Sequence, residues 1–295
     1  MIVFSESVPH PDAATNASQR DLYKGDQAAR IQGCRIYYIP ADFSSAGGAE
    51  GALDRVPQFE QPQPAVWLGF IPTPERYADL YAAAARRNIF LLNDPEAHLR
   101  AQEFDRMYPH LVELTPKSVV IRAPDEIEAA IAALGFPIFV KGAVQSRKSR
   151  GLKACLAENG AELRTLTAHL FALENRSRGR VIAREYVPLR HTRMAGQFPQ
   201  GREYRLFIYR EEILAWGYYW EEPDELAGLT AEEAAAVLGL GREAARRLGS
   251  PYVAVDIGQG VDGRWWVIET GDAQFSGLSQ APHLQLWARL ARIQL

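Results

Sequence analysis

The chain contains, toward its C-terminal end, the sequence Tyr252-Val-Ala-Val-Asp256-Ile-Gly-Gln-Gly-Val-Asp-Gly263-Arg-Trp-Trp-Val-Ile-Glu269-Thr-Gly-Asp272. Apolar residues flank Asp262-Gly263 on both sides, and this dipeptide favours a two-residue type I′ turn between two strands. A turn centred there places Asp256 directly opposite Glu269, with Cβ atoms about 4.5–5.5 Å apart on one face of the hairpin. The sequence therefore predicts a hairpin that carries two facing carboxylates.

Two facing carboxylates repel each other and cost stability unless a cation or a proton lies between them. Asp272 follows Glu269 by three residues and can bring a third oxygen to the same place. An all-oxygen set without histidine or cysteine favours Mg²⁺, which completes its octahedron with water and substrate phosphates. We therefore predict a magnesium site at Asp256, Glu269 and Asp272. The alternative is that these acids face solvent, but apolar neighbours on both strands favour a mostly buried hairpin.

A magnesium site of this kind implies a polyphosphate, which needs cations on its other side. Lys141 ends the apolar run at residues 136–140, so its stem is buried while its ammonium emerges to hold phosphate oxygens. The loop at residues 142–151 follows with three cations and two hydroxyls between glycines, a composition that suits a mobile flap over phosphates. The alternative for this loop is a solvated basic surface.

Glu203 and Arg205 lie two residues apart in a run of strand character, so they share one face of that strand. The guanidinium of Arg205 can there clamp a transferred phosphoryl group and an anionic acceptor. The alternative for this pair is an exposed cross-strand ion pair.

The first 114 residues or so alternate between short apolar runs and helical stretches, which is typical of an α/β domain with a largely parallel sheet. Thr73-Pro74-Glu75 and Asp94-Pro95-Glu96 each predict a helix start. Residues 43–64 predict an exposed loop, and residues 188–201 predict a linker. The runs of strand character in this part are residues 2–4, 35–39, 65–70 and 89–92.

Composition excludes several classes of partner. The 295 residues are 47% hydrophobic and 23% charged, which are ordinary globular values. A net charge of −3 gives no basic field for nucleic acid, and no apolar run approaches the roughly 20 residues of a membrane span. Cys34 and Cys155 are too few for a disulfide framework, and the first residues lack a signal-peptide pattern. We therefore expect a cytoplasmic protein that binds neither nucleic acid nor membrane.

Taken in order, these motifs resemble the ATP-grasp superfamily of carboxylate–amine ligases from about residue 118 to residue 278. Phe139-Val-Lys141 is similar to the phosphate-binding lysine strand of that family, and Arg184-Glu-Tyr-Val-Pro188 is similar to the hinge whose backbone pairs with adenine. Residues 201–205 resemble the strand with a ribose-binding acid and a phosphate-binding arginine. The hairpin resembles the Asp…Glu-x-Asn magnesium motif, with the third ligand displaced by one residue to Asp272.

The flap lacks the glycine-rich pattern common in that family and has Ser146-Arg147-Lys148 instead. A bacterial and phage-associated clade with Val-Lys…Ser-x-Lys and Glu-x-Gly-Asp motifs is the most similar. The resemblance implies an α/β fold with a pre-ATP-grasp domain at residues 1–115 and two lobes, at 116–188 and 189–295, that enclose a nucleotide cleft. It implies nucleotide contacts from Lys141, Lys148, Arg184, Glu185, Tyr186, Val187, Glu203 and Arg205, with Arg205 and Lys148 also catalytic, and metal ligation by Asp256, Glu269 and Asp272.

The activity that the resemblance implies is an ATP- and Mg²⁺-dependent ligation through an acyl phosphate. A small-molecule or peptide carboxylate is phosphorylated by ATP, and an amine then attacks to form an amide or peptide bond. Two alternatives stay open. One is a phosphotransferase whose acceptor keeps the phosphate, and the other is a noncatalytic nucleotide-binding module.

Overall fold

Parallel strands build the N-terminal part of the structure, a computed structural model that describes residues 1–7 and 10–295. The sheet has the order β2-β1-β3-β4, and each neighbouring pair is parallel, as the sequence predicts. Its strands are β1 (Ile2–Ser5), β2 (Arg35–Tyr38), β3 (Gln63–Leu68) and β4 (Ile89–Leu91), and its helices are α1 (Ala17–Ile31), α2 (Ala49–Ala52), α3 (Pro74–Ala85), α4 (Pro95–Gln102) and α5 (Phe104–Leu111).

Two predicted helix starts are confirmed. The Thr73 hydroxyl accepts a hydrogen bond from the Arg76 amide at 3.2 Å, and the Asp94 carboxylate accepts one from the Ala97 amide at 2.7 Å. A proline occupies the first turn of each helix, where its missing N–H leaves no donor unsatisfied.

The prediction of an exposed loop at residues 43–64 is wrong in part. Phe43, Leu53 and Val56 are buried in the core of the N-terminal sheet, and the short helix α2 packs on α3. Glycine and proline hide this packing in the sequence, because they interrupt any helical or strand periodicity in the segment.

The name N-lobe is used for the predicted division at residues 116–188, and C-lobe for that at 189–295. The N-lobe contains an antiparallel sheet of order β5-β8-β6-β7, with apolar side chains of α6 and α7 packed against it. Its elements are β5 (Ser118–Ile121), β6 (Ile138–Gly142), β7 (Leu156–Ala157), β8 (Val181–Glu185), α6 (Ile127–Leu134), α7 (Gly160–Phe171) and α8 (Glu174–Ser177).

The predicted linker at residues 188–201 is instead an antiparallel hairpin of β9 (Arg193–Ala195) and β10 (Phe198–Gln200). Its two-residue loop begins with Gly196 at φ 59°, and type II′ turns favour glycine at this first position. The strands are short and largely polar, so alternation of apolar residues gives no signal for them.

The C-lobe contains an antiparallel sheet of order β12-β11-β13-β14. The capping box predicted at Thr230 and Glu233 is present in full at the start of α9. Helix α10 packs on α1, so the C-lobe and the N-terminal sheet share a hydrophobic core. The elements of this lobe are β11 (Glu203–Tyr209), β12 (Glu212–Tyr218), β13 (Tyr252–Gln259), β14 (Trp265–Asp272), α9 (Ala231–Leu248) and α10 (His283–Leu290).

The hairpin of β13 and β14 has the predicted pairing but not the predicted turn. Gln259 pairs with Trp265, and Gly263 takes the left-handed conformation at φ 87° while Asp262 does not, so the turn is longer than two residues. The register shifts after Asp256, where β14 carries one extra residue. The longer turn and this bulge offset each other, and Asp256 lies directly opposite Glu269 as predicted.

The N-terminal sheet holds the beginning of β13 through one buried amide. Asn93, which follows β4, donates from Nδ2 to the Tyr252 carbonyl at 2.7 Å and accepts from the Tyr252 amide at Oδ1 at 2.8 Å. The Asn93 side chain is fully buried. Both bonds therefore replace hydration that these backbone groups lose on folding.

Within the described residues, no helix is long and apolar enough to span a membrane.

We predict that Asn93→Ala lowers the free energy of unfolding by about 2–4 kcal/mol, because two buried backbone groups of Tyr252 lose their partners. Urea unfolding followed by circular dichroism measures this loss. Asn175→Ala is the control, since Asn175 is exposed and its loss costs about 0.5 kcal/mol or less. Equal stability of the two variants would contradict the role of Asn93.

Candidate active site

Three charged residues stand in a row across the C-lobe sheet. Arg205 on β11 pairs directly with Asp256 on β13, which pairs directly with Glu269 on β14. We call Arg205, Asp256 and Glu269 the charged row. Arg205 donates from Nε and Nη2 to the two carboxylate oxygens of Asp256, each at 2.7 Å, in a bidentate pair. The arrangement confirms that the two acids face each other.

The other end of the charged row is neutralised from across the cleft. Lys141 on β6 of the N-lobe forms an ion pair between its Nζ and the Glu269 carboxylate. Each acid therefore has its own cation, one from its own sheet and one from the opposite lobe. The repulsion expected between Asp256 and Glu269 is offset at both ends of the row.

Burial and charge oppose each other at these groups. Burial lowers the pKa of Lys141, and Glu269 acts against that shift. Burial alone raises the pKa of Glu269, but Lys141 and Lys148 outweigh it and the net pKa is lowered. Burial disfavours the charge of Arg205, yet Asp256 raises the pKa of that guanidinium overall. Glu269 and Arg205 therefore keep their charges at neutral pH.

The flap is tied to the C-lobe by Lys148. Its Nζ donates to the Tyr219 hydroxyl at 2.6 Å and lies 4.4 Å from the centroid of that ring. The Arg205 guanidinium lies 4.7 Å from the same centroid, so two cations contact Tyr219. Sequence reasoning missed Tyr219, because nothing in the pattern after β12 shows which residues the flap reaches.

A cavity between the lobes joins apolar walls to a charged end. Its apolar walls come from both lobes and from the β9–β10 hairpin, while Lys141, Lys148 and Glu203 lie among its charged residues. This combination suits a ligand with a flat apolar ring and a polyphosphate. The apolar residues that define it are Phe139, Leu152, Val187, Leu189, Phe198 and Ile268.

The predicted hinge residues are divided by the structure. Arg184, Tyr186 and Val187 line the cavity, whereas Glu185 is exposed and does not line it. Arg184 donates to the Ile268 carbonyl at 2.7 Å and lies 5.0 Å from the Phe139 ring centroid. The Arg184 side chain therefore links the two lobes beside the charged end of the cavity.

Glu203 lies in the cavity wall and is only 6% exposed. Burial and the charge of Asp256 raise its pKa to about 7, although Lys148, Arg184 and Arg205 act in the opposite direction. A carboxyl group in this state can accept or donate a hydrogen bond to a ligand hydroxyl near neutral pH.

The structure does not bring Asp272 to the charged row. Side chains alternate along a strand, so residues three apart point to opposite faces, and Gly271 rather than Asp272 shares the face of Glu269. Asp272 is fully buried and accepts from the Gln274 amide at 3.1 Å, with His98 Nδ1 at 2.9 Å from its other oxygen. The prediction of Asp272 as a third metal ligand is corrected on this geometry.

The donor set that is left fits magnesium held together with a nucleotide. Within residues 1–7 and 10–295, no group of three or more histidine, cysteine, aspartate or glutamate side chains is placed to hold a metal by itself. Mg²⁺ commonly takes one or two carboxylates and completes its shell with substrate phosphates and water. Asp256 and Glu269 are such a pair, and Glu269 also lines the cavity described above.

A second cleft lies on the other side of the charged row. Arg205, Asp256 and Tyr219 line it, and it shares Lys148 and Glu269 with the first cavity. Residues of the N-terminal domain, among them Ile71 and Gln102, form its far side. The charged row therefore stands where two binding spaces meet.

Comparisons with known proteins agree with this geometry. A family model described as an ATP-grasp domain, the third family of its clade, matches residues 131–290, more than half of the chain. An ATP-grasp RimK domain protein from Sphaerobacter thermophilus is 14% identical, with TM-score 0.58 over 97% of this chain and 96% of that one. The D-alanine–D-alanine ligase from Bacillus anthracis complexed with ATP is 16% identical, with TM-score 0.63 over 98% and 90%.

The ATP-grasp ligase PsnB complexed with minimal precursor is 13% identical, with TM-score 0.57 over 98% of this chain and 96% of that one. At these identities the three likenesses show the fold. A comparison with curated proteins finds no match.

We predict that the stability of the nucleotide-free protein falls between pH 5 and pH 8 because of Glu203. The folded protein holds this proton to about pH 7, whereas the unfolded chain releases it near 4.5. The stabilising contribution is therefore present below pH 4.5 and lost as pH rises through 7. Glu203→Gln should gain about 1–3 kcal/mol relative to the wild type across this range, measured by urea unfolding.

Glu185→Gln, on the neighbouring lobe and exposed, is the control and should run parallel to the wild type. A stability difference between Glu203→Gln and the wild type that does not vary with pH would contradict the raised pKa.

Proposed function

This chain belongs to that ATP-grasp domain family, and from that membership we propose that it is an ATP- and Mg²⁺-dependent carboxylate–amine ligase. The observation that carries the proposal is the position of the charged row between two binding spaces. One space has apolar walls and a cationic end, as ATP requires, and the other is open to the N-terminal domain.

We assign the nucleotide to the cavity between the lobes. Adenine lies against Phe139, Val187 and Ile268, and Glu203 accepts hydrogen bonds from the ribose. Lys141 and Lys148 bind phosphate oxygens. When the triphosphate arrives, Lys141 exchanges part of its contact with Glu269 for contacts with phosphate, which frees carboxylate oxygens of Glu269.

Asp256 and Glu269 are the residues that would hold Mg²⁺. When bound there, the ion neutralises negative charge on the phosphates. Asp256 keeps its bidentate pair with Arg205 at the same time, so the guanidinium is fixed beside the Tyr219 ring. A rigid cation of this kind stabilises charge on the transferred group without having to reorganise.

The reaction joins the two spaces. A carboxylate oxygen of the first substrate attacks the γ-phosphorus of ATP, the bond to the β-phosphate oxygen breaks, and an acyl phosphate and ADP form. An amine attacks the acyl carbon, the C–N bond forms, phosphate leaves and the amine gives up a proton. The flap, held by Lys148 on Tyr219, excludes water that would hydrolyse the acyl phosphate. The cytoplasm, where ATP is plentiful, is the proposed location.

The test of this function is a screen of amino acids and peptides for ATP-dependent phosphate release, with products identified by mass spectrometry. A ligase forms ADP, phosphate and a condensed product when a carboxylate and an amine are both present. A phosphorylated acceptor formed without an amine would support the phosphotransferase instead. Nucleotide binding without turnover of any substrate would support the noncatalytic module.

We predict that Lys141→Met weakens binding of a non-hydrolysable ATP analogue with Mg²⁺ by about ten- to a hundredfold, because a charge-assisted contact to phosphate is lost. Isothermal titration calorimetry measures the affinity, and a thermal melt confirms that the variant is folded. Lys153→Met removes an exposed lysine that lines no part of the cavity and should bind like the wild type. Unchanged affinity in Lys141→Met would sink the assignment of this lysine to phosphate.

A further inference from the structure

The cleft on the far side of the charged row contains a carboxylate that the mechanism above does not use. Asp21 on α1 lines a recess of this cleft, together with Ser18 and residues 274–278. The recess and the cleft share Ser18, Gln145 and Gly277, so they form one continuous space. A molecule in the cleft can therefore reach from Arg205 to Asp21.

A single glycine separates Asp21 from the charged row. Arg205 donates from Nη1 to the Gly277 carbonyl at 2.8 Å. A Cβ atom built on Gly277 would lie 2.9 Å from Oδ2 of Asp21. The absence of a side chain at Gly277 therefore lets the carboxylate approach the backbone segment that Arg205 binds. A cation and an anion thus stand on either side of this segment.

Asp21 has a negative charge without a local counterpart. Within the described part of the chain it forms no hydrogen bond and no ion pair. Burial and the charge of Glu221 raise its pKa, while Lys24, Arg205 and Arg20 lower it by less. A half-buried carboxylate in such an environment is stabilised when a cation binds to it.

We propose that Asp21 binds the ammonium group of the amine substrate. The substrate class is a primary amine that carries a positive charge before it reacts, such as an amino acid or the amino end of a peptide. The proposal rests on the ligase function proposed above. Arg205 binds the anionic acceptor at one end of the cleft, and Asp21 binds the cationic nucleophile in the recess behind Gly277. The two charges thereby sort the two substrates by sign.

The sequence of α1 supports a ligand role over a structural one. Arg20 and Lys24 flank Asp21 on the same helix, but both are exposed and neither forms an ion pair with it. Asp26 on the same helix shows the contrast, because its buried carboxylate accepts from the Tyr38 hydroxyl at 3.0 Å. The Asp21 side chain therefore faces a binding space instead of a partner in the fold.

The test uses amines that lack a carboxylate. Glycinamide and lysinamide are titrated into the full-length protein with Mg²⁺ and a non-hydrolysable ATP analogue at pH 7, and binding is followed by saturation-transfer NMR. N-acetylglycinamide is the uncharged probe. We expect both amines to bind the wild type, N-acetylglycinamide to show no binding, and Asp21→Asn to weaken amine binding at least tenfold. Asp79→Asn, an exposed aspartate on α3, makes the same change of charge and should bind amines like the wild type.

The outcomes separate this assignment from the proposed function. Calorimetry of the ATP analogue is run on the same samples, and Asp21→Asn should bind it as the wild type does. If the analogue binds while amines bind Asp21→Asn as well as the wild type, or fail to bind the wild type, the role of Asp21 is wrong and the ligase proposal stands. If the wild type does not bind the analogue, the proposed function fails and this assignment fails with it.

Discussion

The repulsion between Asp256 and Glu269 is the constraint on which the rest of the site depends. The hairpin places these carboxylates directly opposite each other, and the sheet buries Asp256 to 4% exposure. Each acid is stabilised by a different cation, Arg205 from the same sheet and Lys141 from the opposite lobe. Removal of either cation would leave a buried charge uncompensated, which typically costs about 3–5 kcal/mol. The pairing of Glu269 with Lys141 thus holds the cleft together and keeps a phosphate-binding lysine beside the acid that a metal would use.

The N-terminal domain contributes no residue to the charged row but fixes both strands that carry its acids. Asn93 holds the start of β13 at Tyr252. Thr270 donates to the Ala101 carbonyl at 2.8 Å, and Asp272 lies against His98 at the end of β14. These buried contacts orient the face of β14 that presents Glu269. Asp272 thus belongs to the support of the site, on the face opposite its acids.

The sequence predicts those parts of the site that depend on local periodicity. Asp256 and Glu269 were found because a hairpin signal and period-two alternation fix which residues meet across two strands. Asp272 was misassigned because proximity in sequence was given more weight than alternation, which places it on the other face. Tyr219 and Asp21 could not be predicted, since they reach the cleft from remote segments whose arrangement is set by tertiary packing. The β9–β10 hairpin and the buried part of residues 43–64 were missed because glycine, proline and polar residues mask short elements.

The most direct test of the charged row uses Mn²⁺ in place of Mg²⁺, since its electron paramagnetic resonance reports bound and free ion separately. With a non-hydrolysable ATP analogue present, the wild type should bind one equivalent of Mn²⁺ more tightly than the analogue alone does. The double variant Asp256→Asn, Glu269→Gln should lose this gain, while Asp272→Asn should keep most of it. A double variant that holds Mn²⁺ as tightly as the wild type would contradict the assignment of a metal to the two facing carboxylates.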